Sequence, residues 1–248
     1  MACLSCIRRL MVVVIVAVGV IPLSATAADA KQRIRDVLSE QVPQLNVKQV
    51  RATDLNGIYE VRTNQDTLYM TGDGGHAFVG TMLRFDGRQG IVNLTEQGRS
   101  AERKQALARI GEDRMIIFQP ESEVKATIHV FTDINCGYCR KLHRNMDAMN
   151  EMGIQVNYLS FPRGGPGSEG YRKAVSAWCA DSPRKAITRA KQGKSIVDKE
   201  CDHPVRDQYQ LGRSLGVTGT PAIVLESGRM VPGFRPADAL AELLDISG

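Results

Sequence analysis

The apolar positions of this chain change rhythm several times along its length. Leu10 to Leu23 is an unbroken apolar run, preceded by Arg8 and Arg9 and followed by the small-residue tail SATAADA. It is too short for a comfortable membrane span, and its basic start, apolar middle and Ala25-x-Ala27 end fit a cleavable export signal, cut near Ala27 or Ala28. The alternative is an uncleaved N-terminal anchor. From Asp29 to Val42 the positions Ile34, Val37, Leu38 and Val42 have helical spacing, and Pro43 ends the run. Residues 47–95 then alternate in short β-branched stretches broken by NG, GDGG, DG and QG, which predicts several short antiparallel strands. A unit this small leaves strand edges that must be paired, so a partner chain is expected for it. Residues 98–114 are helix formers, polar nearly all round apart from Leu107, Ile110 and some alanines, the pattern of a helix bridging two domains through solvent, with an ordinary surface helix of one domain as the alternative.

Beyond it the rhythm becomes strand, helix, strand. IHVFTD (128–133) predicts a strand, CRKLHRNMDAMNEMG (139–153) a helix and IQVNYLSF (154–161) a second strand. After the breaker FPRGGPGSEG comes a mostly helical stretch from Tyr171 to about Leu215. AIVLES and GRMVPG read as two more strands, closed by the helix PADALAELLDI (236–246). The fold class is thus α+β joined to α/β. The expected organisation is a signal over 1–28, a β-rich unit over 29–97, a linker helix over 98–114, and a catalytic unit over 115–248 with a helical insertion at about 168–215.

Charge narrows the function classes. The formal net charge of +5 becomes +3 when Arg8 and Arg9 leave with the signal, and no basic block stands out, so nothing argues for nucleic acid. Export also changes the meaning of the six cysteines. Cys3 and Cys6 leave with the signal, and Cys136, Cys139, Cys179 and Cys201 remain, an even number in a compartment that permits disulfides. The Asn93-Leu94-Thr95 sequon matters only in a glycosylating pathway.

The pair in TDINCGYCR (132–140) carries the chemistry. A structural zinc site would want a second pair of similar spacing, whereas Cys179 and Cys201 lie far apart and His76, His129, His143 and His203 are scattered; no metal or other cofactor is expected. A haem attachment would want His after the second cysteine, where Arg140 stands. An inert disulfide across two residues would close a strained ring. A redox pair between a strand end and a helix start explains the placement best, because unpaired backbone N–H groups there stabilise a thiolate on the first cysteine below the free value of about 8.5.

FTDINCGYCRKLH, FPRGG, the cysteines at 179 and 201, and LGVTGTPAIVL together resemble the DsbC branch of the periplasmic thioredoxin-fold disulfide isomerases. The similarity extends through GIYEVRTNQDTLYMTGDG and the linker, and so covers nearly all of the mature chain. The resemblance implies a periplasmic homodimer, V-shaped and joined through its N-terminal dimerisation domains, with a thioredoxin-like domain on each arm. Its substrates would be misfolded disulfide-containing proteins, and its reducing partner an inner-membrane thiol reductase of the DsbD kind. Cys136 would be the attacking thiolate and Cys139 the resolving cysteine, with Gly137 and Tyr138 tuning redox poise. Thr220 and Pro221 would form the threonine–cis-proline pair that holds substrate beside Cys136. Cys179 and Cys201 would form a structural disulfide, the alternative being a second redox pair, and Trp178 beside it reads as core rather than a substrate platform. Thioredoxin itself has a buried Asp where this chain has Val130, so proton transfer would need water or another group; Asp133 is a candidate, or a local backbone cap. His143 is either near Cys139 or a solvated surface residue. The alternative function is a DsbG-like chaperone or reductase guarding oxidised cysteines, though that side of the family usually has Pro after the first cysteine.

Overall fold

The computed structural model describes residues 27–63, 66–88 and 90–246. Of the expected signal segment, residues 1–26, with Cys3 and Cys6, lie outside the described residues. Helix α1 (Ala27–Gln41) places Ala30, Ile34 and Leu38 on one face at four-residue steps and buries them against Val50, Tyr59, Val61 and Met70. Those partners come from an antiparallel sheet of β1 (Val47–Ala52), β2 (Ile58–Thr63), β3 (Thr67–Thr71) and β4 (Ala77–Val79), in that order. β5 (Leu83–Asp86) and β6 (Gly90–Asn93) form a separate hairpin. On this unit Leu55, Phe78, Val79, Phe85 and Ile91 are each more than half exposed.

Helix α2 (Leu94–Leu107) departs from the linker expected over 98–114 in two ways. It starts earlier, because the Asn93 side chain accepts the Glu96 backbone N–H at 2.8 Å and caps the helix there. It also docks on the following domain rather than crossing solvent. Arg103 is buried, donating to the carbonyl oxygens of Leu215 (3.2 Å) and Gly228 (3.4 Å), and Leu107 joins a cluster with Phe131, Leu159, Phe161 and Val217. A guanidinium can be buried when its donors end on carbonyls, so polarity alone overstates this helix's exposure. Gly228 makes the contact possible: at φ +83°, a Cβ there would stand 1.9 Å from the Ser100 carbonyl oxygen.

The second domain contains β7 (Ile116–Phe118), β8 (Ala126–Thr132), α3 (Gly137–His143), α4 (Met146–Glu151) and β9 (Ile154–Ser160). The helix expected over 139–153 is broken between α3 and α4, where the Asn145 side-chain amide donates to the Lys141 carbonyl at 2.9 Å in place of regular helix. α5 (Glu169–Trp178), α6 (Pro183–Lys191) and α7 (Val205–Ser214) follow, then β10 (Ala222–Val224), β11 (Met230–Pro232) and α8 (Ala237–Leu243). The stretch expected to be mostly helical is interrupted: residues 192–204 carry no helix. Cys201, in that segment, is disulfide-bonded to Cys179 at the end of α5. The sheet order is β11-β10-β8-β9-β7, with β8 and β9 parallel and the other pairs antiparallel. Ile128, Val130, Val156, Tyr158 and Ile223 fill its core, and Trp178 packs against them partly buried.

Candidate active site

The parallel strand β8 ends at Thr132, and the next residues turn the chain into α3. The Asp133 carboxylate accepts the Asn135 backbone N–H (2.8 Å), and its carbonyl accepts that of Cys136 (3.2 Å), which leaves Cys136 as the residue capping the helix. Cys139 lies one turn on, fully buried, and accepts the Asp133 N–H at 3.5 Å. Both cysteines are free thiols. Between them, Tyr138 is 65% exposed, and the face of Gly137 where a Cβ would project is open, so the pair has no cover from its own intervening residues.

Opposite stands the peptide Thr220–Pro221, which is cis. The Cys136 thiol donates to the Thr220 carbonyl oxygen at 3.2 Å. The Thr220 hydroxyl is buried and otherwise unpaired among the described residues, and it favours the thiolate of both cysteines. Burial alone would raise the Cys136 pKa. Thr220, the Cys139 and Tyr138 backbone N–H groups and the Cys139 thiol outweigh it, and Cys136 lies below an ordinary thiol. For Cys139 burial wins and the pKa is raised, although nearby Lys191 opposes the rise. The two sulfurs are thus poised in opposite directions.

Several further side chains converge here. Asp133, a candidate proton carrier, has its carboxylate fixed by the Arg163 backbone N–H (3.1 Å) and guanidinium (3.0 Å), so it acts as a local cap and ion pair. Arg163, from FPRGG, faces both cysteines, whose negative charge would help to hold its proton. His143 is no solvated surface histidine: its ring nitrogens lie 3.1 Å from the Tyr158 hydroxyl and 3.0 Å from the Thr188 hydroxyl, and burial first, then Lys191, lower its pKa to about 4. Lys191 is itself buried, with its ammonium donating to the Thr132 hydroxyl at 2.7 Å. Its one signal in sequence is spacing, since Ile187, Ala190 and Lys191 share a helix face, and a polar residue on an apolar face reads as an error of period. An open cleft of about 790 Å³, lined among others by Lys48, Phe161, Arg163, Tyr209, Arg213 and Thr218, meets the site through Arg163.

A free cysteine pair capping a helix after a parallel strand, across from a cis-proline, places the fold among the thioredoxin-like thiol–disulfide exchange proteins. Residues 113–246 match the thioredoxin-like domain family, and residues 24–96 match the disulfide bond isomerase protein N-terminal domain. The thiol:disulfide interchange protein DsbC of Escherichia coli K12 is 40% identical over 198 residues, covering 79% of this chain and 80% of that protein. The Pasteurella multocida DsbC is 32% identical over 226 residues, covering 89% of this chain and 93% of its own length. Among solved structures, the disulfide interchange protein from Neisseria gonorrhoeae is 28% identical with a TM-score of 0.49, covering 55% of this chain and 96% of that one. The chain belongs to the DsbC family of disulfide bond isomerase proteins.

Proposed function

We propose that this protein is a thiol–disulfide isomerase that reshuffles incorrect disulfides in exported proteins, with Cys136 as nucleophile. The observation that carries the reading is the opposite poise of the two sulfurs: Cys136 is lowered and faces Thr220, while Cys139 is raised and buried beneath it. The Cys136 thiolate attacks one sulfur of a wrong substrate disulfide, forming a mixed disulfide and releasing the other sulfur as a thiolate. That thiolate attacks elsewhere in the substrate until a stable pairing regenerates Cys136. When rearrangement stalls, Cys139 attacks Cys136 and frees the substrate reduced.

Thr220 and Pro221 hold the substrate backbone beside Cys136, Gly137 and Tyr138 tune the redox poise of the pair, and Cys179–Cys201 staples the insertion. The protein acts in the periplasm as a homodimer joined through residues 29–97. The exposed Phe78, Val79, Phe85 and Ile91 there, with β4 at the sheet edge, support that reading. A DsbD-type membrane thiol reductase returns the pair to its reduced state. Refolding of a scrambled multi-disulfide protein tests the function: the reduced mature chain should restore native pairing catalytically, and Cys136→Ser should not. Cys139→Ser should accumulate mixed disulfides through Cys136.

A further inference from the structure

Among the described residues Lys191 stands out as a buried cation with no carboxylate hydrogen-bonded to it. Its side chain is 3% exposed at the end of α6, and its ammonium donates to the Thr132 hydroxyl at 2.7 Å and lies 5.2 Å from the centre of the Tyr158 ring. Taking an ammonium out of water costs several kcal/mol unless an opposite charge compensates it. Asp133, the carboxylate of this region, is committed to Arg163. From α3 the groups that face Lys191 are Cys136, Cys139, Arg140 and His143; from β9 it is Tyr158. Arg140 is a like charge, and neutral His143 has both nitrogens engaged. Tyr158 is held in its phenol form, by burial first and then by negative charge at Cys139. Asp133 acts on Lys191 only through space, and the anion whose charge acts on it before that of Asp133 is the Cys139 thiolate. Cys139 is the deeper sulfur, and Thr132, which receives the Lys191 bond, is followed directly by the residue whose N–H reaches the Cys139 sulfur.

We propose that Lys191, acting through Thr132, is a positioning residue that stabilises the Cys139 thiolate and so sets the rate at which Cys139 ends a stalled mixed disulfide. The proposal rests on the isomerase reading, in which Cys139 is the resolving cysteine. In the step, the Cys139 thiolate attacks Cys136 Sγ. The Cys136–Cys139 bond forms as the Cys136–substrate bond breaks, and the substrate sulfur leaves with the electron pair. It takes up the proton that Cys139 gave up. The cysteine pair is oxidised, the substrate sulfur is reduced, and Lys191 is an ammonium before and after.

The lowered pKa of Lys191, about 8 and due first to burial, keeps it mostly charged at neutral pH, while negative charge at Cys139 raises its proton affinity. Above pH 8 the ammonium is lost and the benefit fades. The lysine thus favours escape near neutrality, where the substrate's own thiols are mostly protonated.

The test uses the full mature chain and oxidised glutathione as probe. Acid quenching and mass spectrometry between pH 6 and 9 separate formation of the Cys136–glutathione mixed disulfide from its displacement by Cys139. In Lys191→Met, displacement at pH 7 should slow by about tenfold, a shift of about one pKa unit at Cys139, and its pH midpoint should rise, while formation changes by less than about twofold. Thr132→Val, which keeps the ammonium, should slow displacement in the same selective way. Should Lys191→Met not fold, Thr132→Val alone decides. Displacement unchanged in the folded variants, or slowed only in step with formation, would overturn the role of Lys191 and leave the isomerase reading standing. A wild-type chain that never displaces glutathione would overturn both.

Discussion

Cys136 and Cys139 are the same residue type one helical turn apart, and the groups that meet each sulfur make them different reagents. The Thr220 hydroxyl and backbone N–H groups outweigh burial at Cys136, so its alkylation by iodoacetamide should rise with pH through a midpoint below that of an ordinary thiol, while Cys139 stays protected. Equal labelling of both from pH 5 to 8 would contradict this. His143 gives a second pH dependence. Its folded pKa of about 4 lies below the ordinary 6.5, so between those values the unfolded chain binds more protons and stability falls as pH falls. The loss is on the order of 3 kcal/mol, and urea unfolding at pH 7 and pH 4 should show it flattened in His143→Gln. Lys191, at about 8 instead of 10.5, binds its proton less tightly in the folded state, so its contribution is full above pH 10.5 and lost on descending to pH 8. Removing that charge in Lys191→Met should therefore stabilise the reduced protein at pH 7 by up to about 3 kcal/mol, in the same variant whose escape step slows.

At the scale of elements, the strand, turn and helix around CGYC were legible because apolar alternation and the two cysteines fall within a dozen or so consecutive residues. The rest of the site is assembled from afar. Thr132 and Lys191 are 59 positions apart and Cys136 and Thr220 are 84, and no local periodicity joins such pairs. Buried Arg103, Lys191 and His143 also look in sequence like surface residues, since their partners make burial tolerable: carbonyls and hydroxyls on other elements and, for Arg103, the Glu96 carboxylate as well. The break at Asn145 depends on a side chain competing with the helix, which helical spacing does not register. Two elements give direct tests. Replacing Cys179 and Cys201 together by Ala should cost roughly 3 kcal/mol in chemical unfolding, from the loop entropy released, with isomerase activity per folded molecule retained. Helix α7 lies close over the sheet at Gly212, where a Cβ would meet Phe161 at 2.6 Å and Phe131 at 3.0 Å. Gly212→Ala should destabilise by about 1–3 kcal/mol on the same assay.

For the whole molecule, the docked helix α2 makes the N-terminal unit a fixed support rather than a tethered one, because Arg103, Leu107 and Gly228 bind it to the catalytic domain. In the proposed homodimer the exposed apolar side chains of β4 to β6 would be the joining surface, which would set two Cys136 thiolates on arms of one particle. Phe85→Glu combined with Ile91→Lys should shift sedimentation from dimer to monomer and reduce reshuffling of proteins far more than exchange with glutathione. The central claim is that Cys136 initiates disulfide rearrangement in another protein. Recovery of a scrambled multi-disulfide substrate, followed with reduced wild type and Cys136→Ser side by side, tests it most directly. The account predicts catalytic recovery of native pairing with wild type and background recovery with the variant; equal recovery from the two would contradict it.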